Sequence, residues 1–152
     1  MFNVVLVEPE IPPNTGNIGR LCLATGSTLH LVEPLGFEIN DRRLQRGGLD
    51  YWKEVDVRIW ASFSELRAAQ AADAHYFFLT TKTKRPYFAE RFKAGDFLVF
   101  GRETKGLPES LLQTNVERLL TIPMRSTRSL NLSTAVAIVL FEAVRQNATL
   151  NL

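Results

Sequence analysis

Three short segments of this 152-residue chain carry side chains able to bind and orient a polar ligand. The first is Asn14-Thr15-Gly16-Asn17-Ile18-Gly19-Arg20. Its two asparagine amides offer donors and acceptors, its glycines let another group approach the backbone, and Arg20 brings a planar donor fork suited to a phosphate or a ribose oxygen. The second is Leu98-Val99-Phe100-Gly101-Arg102-Glu103-Thr104-Lys105-Gly106-Leu107, an apolar run that stops at a glycine-bounded loop with Glu103 inside it. The third runs from Ile122-Pro123-Met124 through Arg125 to Arg128 and on to Ser129-Leu130-Asn131-Leu132-Ser133, where Asn131 or Ser129 can cap the helix that follows. Read singly, each has a plain structural meaning: a capped helix start, a solvated loop, a helix cap. Dinucleotide binding is a rival, because Glu33 closes the second apolar run near the spacing at which an acid grips an adenosine ribose. The GxGxxG pattern is missing, however, and Pro12-Pro13 stiffens the place where its tight glycine turn belongs.

The elements around these segments are strands alternating with helices. Phe2 to Val7, Thr28 to Val32, Val55 to Trp60, Tyr76 to Leu79, Asp96 to Phe100 and Leu119 to Ile122 are short apolar, β-branched or aromatic runs that read as six strands. Asn14 is a candidate N-cap for a helix reaching Ala24, with Gly26 at its C-terminal end, and Ser62-Phe63-Ser64-Glu65 is a capping box opening a helix through Ala72. Gly36 to Tyr51 reads as a short basic surface helix, Pro108 starts another, and Asn131 to Gln146 forms a helix with apolar residues on several faces, which implies burial on more than one side. The pattern predicts an α/β fold with a mostly parallel sheet. No repeat or linker interrupts it, so residues 1–152 are expected to form one domain.

Hydrophobic residues make up 45% and charged residues 22%, which excludes a disordered or fibrous chain. Eighteen basic residues against 16 acidic ones leave a net charge of +2, too little to diagnose a nucleic-acid partner. Any basic surface must be local; Arg42, Arg43 and Arg46 form one cluster and Lys82, Lys84 and Arg85 another. Cys22 stands alone in an apolar run and reads as a buried, reduced thiol. No charged-then-apolar leader opens the chain, and no apolar run approaches the roughly 18 residues of a membrane span. A cytoplasmic location without membrane attachment is expected.

Taken in order, Asn-x-Gly-Asn-x-x-Arg, Phe-Gly-x-Glu-x-x-Gly and Ile-Pro-Met to Ser-Leu-Asn-Leu-Ser resemble the three motifs of the SPOUT methyltransferases. The opening Glu8-Pro9-Glu10-Ile11-Pro12-Pro13-Asn14 and Leu49-Asp50-Tyr51 are similar to the minimal enzymes of that class, which methylate the ribose of the tRNA wobble nucleotide. The likeness spans Phe2 to about Gln146.

The resemblance implies a sheet with helices on both faces and a C-terminal deep trefoil knot. It implies that S-adenosylmethionine, without a metal, is held by Leu79, Thr80, Gly101, Glu103, Gly106, Ile122, Met124, Ser129 and Leu130. Arg20 takes the central catalytic place by analogy, with Asn14, Glu103, Ser129 and Asn131 positioning it, the hydroxyl and the cofactor. The implied substrate is cytidine or modified uridine at the wobble position, in leucine tRNAs, bound through the anticodon stem-loop by a homodimer joined at the first and last helices. The two basic clusters are expected to contact phosphates, and Tyr51 and Trp52 to stack on a splayed base. A non-catalytic RNA-binding or assembly factor of the same fold, or methylation of another RNA, are the alternatives. Two departures stand out: Arg102 occupies the usual place of a proline, and the loop from Met124 to Ser129 is one residue short.

Overall fold

The computed structural model describes residues 1–40, 42–45 and 50–148. Six strands, β1 (Asn3–Val7), β2 (Thr28–Val32), β3 (Val57–Trp60), β4 (Tyr76–Leu79), β5 (Phe97–Phe100) and β6 (Leu119–Leu120), form one sheet in the order β3-β2-β1-β5-β4-β6. Every pairing is parallel, with Val5 beside His30 on one flank and Val99 on the other. A parallel sheet needs cover on both faces, which is why its central strands are continuous apolar runs instead of alternating ones.

The two faces are covered differently. On one, α1 (Pro12–Thr25) and α4 (Leu132–Asn147) pack Ile18, Cys22, Val136, Val139, Leu140 and Ala143 against Val4, Leu6, Leu29, Leu31, Leu98 and Phe100. On the other, the shorter α2 (Phe63–Ala68) and α3 (Glu109–Thr114) set Phe63, Leu66 and Leu112 on Val5, Val7, Phe78, Phe97 and Val99. Ser62 caps α2 as expected, its hydroxyl accepting from the Glu65 N–H at 3.1 Å.

Several boundaries differ from the sequence reading. Helix α1 begins at Pro12 with Ile11 as N-cap, so Asn14 lies inside the first turn and is not the cap. Proline lacks the N–H that a first turn leaves unpaired, and its fixed φ suits that place. Among its described residues the basic stretch after Gly36 holds two 3-10 turns, Arg42–Gln45 and Asp50–Glu54, where one helix was expected. These turns lie on α1, and the glycines of the first motif admit them. A Cβ on Gly16 would stand 2.3 Å from the Leu44 carbonyl oxygen, and one on Gly19 would stand 2.5 Å from the Trp52 indole. The groups that approach these glycines are therefore the chain's own. Trp52 is buried in the core, which removes it as a base-stacking surface. Arg46 and Leu49 lie outside the described residues.

Candidate active site

The C-terminal ends of β4, β5 and β6 lie side by side, and the segments leaving them enclose a cavity of about 490 Å3. Ligands of open parallel sheets bind beyond such strand ends, and small-molecule sites span roughly 300–1,000 Å3. Leu79 and Thr80 come from the end of β4, and Gly101, Glu103 and Gly106 from the loop after β5. Ile122, Met124, Ser129 and Leu130 come from the segment between β6 and α4. All the residues expected to touch the cofactor thus line one cavity, together with Asn14 and Asn131.

The loop after β5 is closed by its own backbone. Gly106, at φ 67°, donates its N–H to the Arg102 carbonyl at 2.9 Å, and a Cβ on Gly101 would stand 2.1 Å from the Gly106 carbonyl carbon. Glycine is required at both places, by close approach at Gly101 and by handedness at Gly106. The turn is fixed without the proline that Arg102 replaces, and the Arg102 guanidinium reaches back to Glu8 at 4.0 Å.

Glu103 and Asn131 each spend their side chains on helix starts. The Glu103 carboxylate accepts the backbone N–H of Glu10 at 3.0 Å and of Ile11 at 2.5 Å, just where α1 begins. A carboxylate is favoured there by the unpaired N–H groups and the helix dipole. Asn131 is the N-cap of α4: its Oδ1 accepts from the N–H groups of Ser133 and Thr134, and its Nδ2 donates to Asn14 Oδ1 at 3.1 Å. Of the two cap candidates the structure selects Asn131, while Ser129 stands exposed on the cavity wall. The Asn14–Asn131 bridge joins the first motif to the third.

Arg20 is placed differently from the other expected catalytic residues. Six residues beyond Asn14, it is displaced by about 9 Å along α1 and about 240° around it, so it does not share the cavity-facing side. The cavity lining does not include it. It is exposed, with its guanidinium carbon 5.9 Å from the Tyr51 ring centroid. Tyr51 in turn donates its hydroxyl to the Gly16 carbonyl at 2.9 Å. Burial, outweighing the nearby Arg20 charge, raises the Tyr51 pKa and keeps that hydroxyl a donor. Tyr51 therefore holds α1 and supports Arg20, a role the sequence reading missed in favour of base stacking. The Tyr51 spacing from Gly16 alone carried no signal for it.

Of the basic clusters, Lys82 is paired with Glu109 at 3.0 Å and Arg85 with Glu90, and Lys84 and Arg42 are exposed. The Lys82–Glu109 pair is exposed on both sides, and such a pair contributes at most about 1 kcal/mol. Among the described residues no group of three or more His, Cys, Asp or Glu side chains could hold a metal ion, and no helix is long and apolar enough to cross a membrane.

Comparison with known proteins gives a consistent result. The SpoU rRNA Methylase family model matches residues 1–141. A tRNA (cytidine(34)-2'-O)-methyltransferase of Burkholderia cenocepacia is 50% identical over 149 residues, covering 96% of both chains. A protein of the same description from Aeromonas hydrophila is 47% identical over 148 residues, covering 96% of this chain and 94% of its own. A solved structure concerned with 2-OH methylation of C/U34 on tRNA superposes with a TM-score of 0.92 at 42% identity, over 97% of this chain and 91% of that one. An AdoMet-bound rRNA methyltransferase from Sinorhizobium meliloti superposes with a TM-score of 0.84 at 26% identity, over 97% of this chain and 57% of its own.

Proposed function

This chain belongs to the SpoU rRNA Methylase family, and on that premise we propose that it moves a methyl group from S-adenosylmethionine to the ribose 2'-hydroxyl of tRNA nucleotide 34, cytidine or uridine. The observation that carries the reading is the convergence of three distant segments, each ending a strand, on one cavity. Its walls fit the cofactor. Leu79, Ile122, Leu130 and Leu132 supply an apolar slot for adenine, with loop backbone and the Thr80, Thr121 and Ser129 hydroxyls beside them.

When bound, the sulfonium presents an electrophilic methyl carbon to an in-line oxygen. The protein's work is to hold the partners in line and to manage charge on the ribose oxygen. Asn14, tied to Asn131, offers a polar group on the cavity wall. Arg20 stabilises the developing alkoxide or gathers the adjoining phosphate; a guanidinium carries donors and no acceptor, so it is not the base that takes the proton. Glu103 acts through α1, whose start it holds.

The quaternary reading follows from the placement of Arg20. A guanidinium outside its own chain's cavity is supplied to a reacting atom by a homodimer that apposes α1 and α4, where Phe141 leaves an exposed ring on α4. The C-terminal knot, a single domain over residues 1–152, anticodon stem-loop binding through the basic clusters, leucine tRNAs as substrates and a cytoplasmic location belong to the same proposal.

Incubation with total tRNA and methyl-labelled S-adenosylmethionine, followed by nucleoside analysis, tests it. Label is expected in the ribose of nucleotide 34; label in base methyls refutes the chemistry. Cofactor binding with no transfer to any RNA favours a non-catalytic RNA-binding factor.

A further inference from the structure

The loop after β5 and the start of α1 exchange carboxylates. Glu103 accepts the N–H groups of Glu10 and Ile11, and Glu10 returns the gesture: its Oε1 accepts the Thr104 N–H at 3.1 Å and the Thr104 hydroxyl at 2.7 Å. Four hydrogen bonds thus cross between segments more than 90 residues apart, with each acid bound to the backbone beside the other. One side of this clamp is the loop whose Gly101, Glu103 and Gly106 line the cavity. The other is the pair of residues, Glu10 and the N-cap Ile11, that lead into the helix carrying Asn14 and Arg20.

We infer that Glu10 is a positioning residue, which with Thr104 and Glu103 ties the cofactor-holding loop to α1 so that filling the cavity sets where Asn14 and Arg20 stand. The inference rests on the reading of the cavity as the S-adenosylmethionine site. Hydrogen bonds to an ionised carboxylate are the stronger kind, and two donors on one oxygen fix direction as well as distance. Their effect also shows in the acid itself: the Thr104 hydroxyl, then the Thr104 N–H, hold the Glu10 carboxyl below its ordinary pKa. Because the loop after β5 is closed by its own backbone and the segment before α1 is held by Glu8 N–H to Val32 and Gly36 N–H to Pro9, displacement of one is passed to the other. Glu10 is not part of the cavity lining; it acts through Thr104 and α1.

The test is a double-mutant cycle read in cofactor affinity and in turnover at saturating cofactor, with full-length protein and nucleotide-34 substrate tRNA. Glu10→Ala is expected to weaken S-adenosylmethionine binding about tenfold by calorimetry and to lower kcat by a similar factor, the loss that goes with one charge-assisted hydrogen-bonding group. Thr104→Val, nearly isosteric, removes only the hydroxyl donor and is expected to cost about threefold. The double variant should be no worse than Glu10→Ala, and Glu10→Gln, whose amide oxygen can still accept, should recover most of the loss. Should Glu10→Ala lower only the melting temperature while affinity and kcat stay within twofold, or should the two losses multiply, the positioning role is overturned. Failure of the unmutated protein to bind S-adenosylmethionine is a different result, and it overturns the underlying cofactor reading together with the clamp's purpose.

Discussion

The cavity wall and the outer face of α1 are built on opposite plans. At the cavity, Glu103, Asn131 and Asn14 each have a hydrogen-bond partner in another segment, and the Gly101–Gly106 turn is closed by backbone. On α1, Arg20 is exposed and rests on the Tyr51 ring. The difference separates two tasks. A cofactor-sized hollow is preorganised within one chain, whereas Arg20 stands away from that hollow, and under the proposed function it acts only once substrate and a second protomer are in place.

The sharpest way to break this contrast is Arg20→Ala. Transfer should fall about 10²–10³-fold, the loss typical of removing one preorganised charge-stabilising group, while S-adenosylmethionine affinity stays within about twofold. Single-turnover methylation and calorimetry read the two effects separately; equal losses in both would place Arg20 in the cavity after all. Gly101→Ala should do the converse. A methyl 2.1 Å from the Gly106 backbone forces the loop open, and cofactor affinity should drop by more than about tenfold, with a stability cost of about 1–3 kcal/mol for overpacking. Mixing the two variants at a cofactor concentration too low to fill the Gly101→Ala cavity then decides how the halves combine. Recovery of activity on subunit exchange means that Arg20 serves its partner's cavity, and no recovery means that it serves its own.

The same contrast explains what could be read from the sequence. The inner strands were legible because a parallel sheet buried on both faces leaves unbroken apolar runs such as Tyr76–Leu79 and Phe97–Phe100, whereas the edge strand β3, with Arg58 and Ile59 exposed, was legible only by its β-branched and aromatic residues. The loop after β5 and the segment before α4 stood out by their glycines and helix cap, whereas their role at a cofactor, and Leu79 and Thr80 altogether, came from the resemblance to the methyltransferases. What escaped was settled by distant partners. The entry to α1 is held by Glu103, 92 residues from Ile11, and no residue near it in sequence announces this, whereas Asn14 has the side chain of a local cap. Trp52 and Tyr51 face α1 because Gly16 and Gly19 make room there, and nothing near either aromatic in sequence announces it. Arg20 was assigned to the site by analogy, and helical geometry alone would have kept it off the Asn14 face.

A buried group away from the chemistry gives a prediction in which activity and stability part company. His30 Nδ1 accepts from the Trp60 indole N–H at 3.0 Å, and an indole can only donate, so the Nε2 proton is the one shared with Asn3 Oδ1 at 2.9 Å. Burial, with the Arg58 charge adding to it, pushes the His30 pKa down to about 4. The folded protein therefore keeps this imidazole neutral while the unfolded chain protonates it near its ordinary value. Its stabilising contribution is complete above about pH 6.5 and declines as pH falls from there toward about 4. His30→Gln, which can still accept and donate but does not titrate, should flatten the fall in melting temperature between pH 7 and 5. An unchanged slope would show that other groups set the acid response.

The smallest effect expected lies at the joint between the two regions. Asn131→Ala removes the α4 N-cap, a loss of about 1 kcal/mol, and also frees Asn14 from its 3.1 Å contact. Asn131→Ser keeps a capping oxygen but has no amide to donate to Asn14. If capping is all that Asn131 does, Ser should restore both melting temperature and turnover. If Asn131 also aims Asn14 at the cavity, Ser should restore the melting temperature and leave turnover several-fold low, which would place the link between the first and third motifs in the chemistry and not only in the fold.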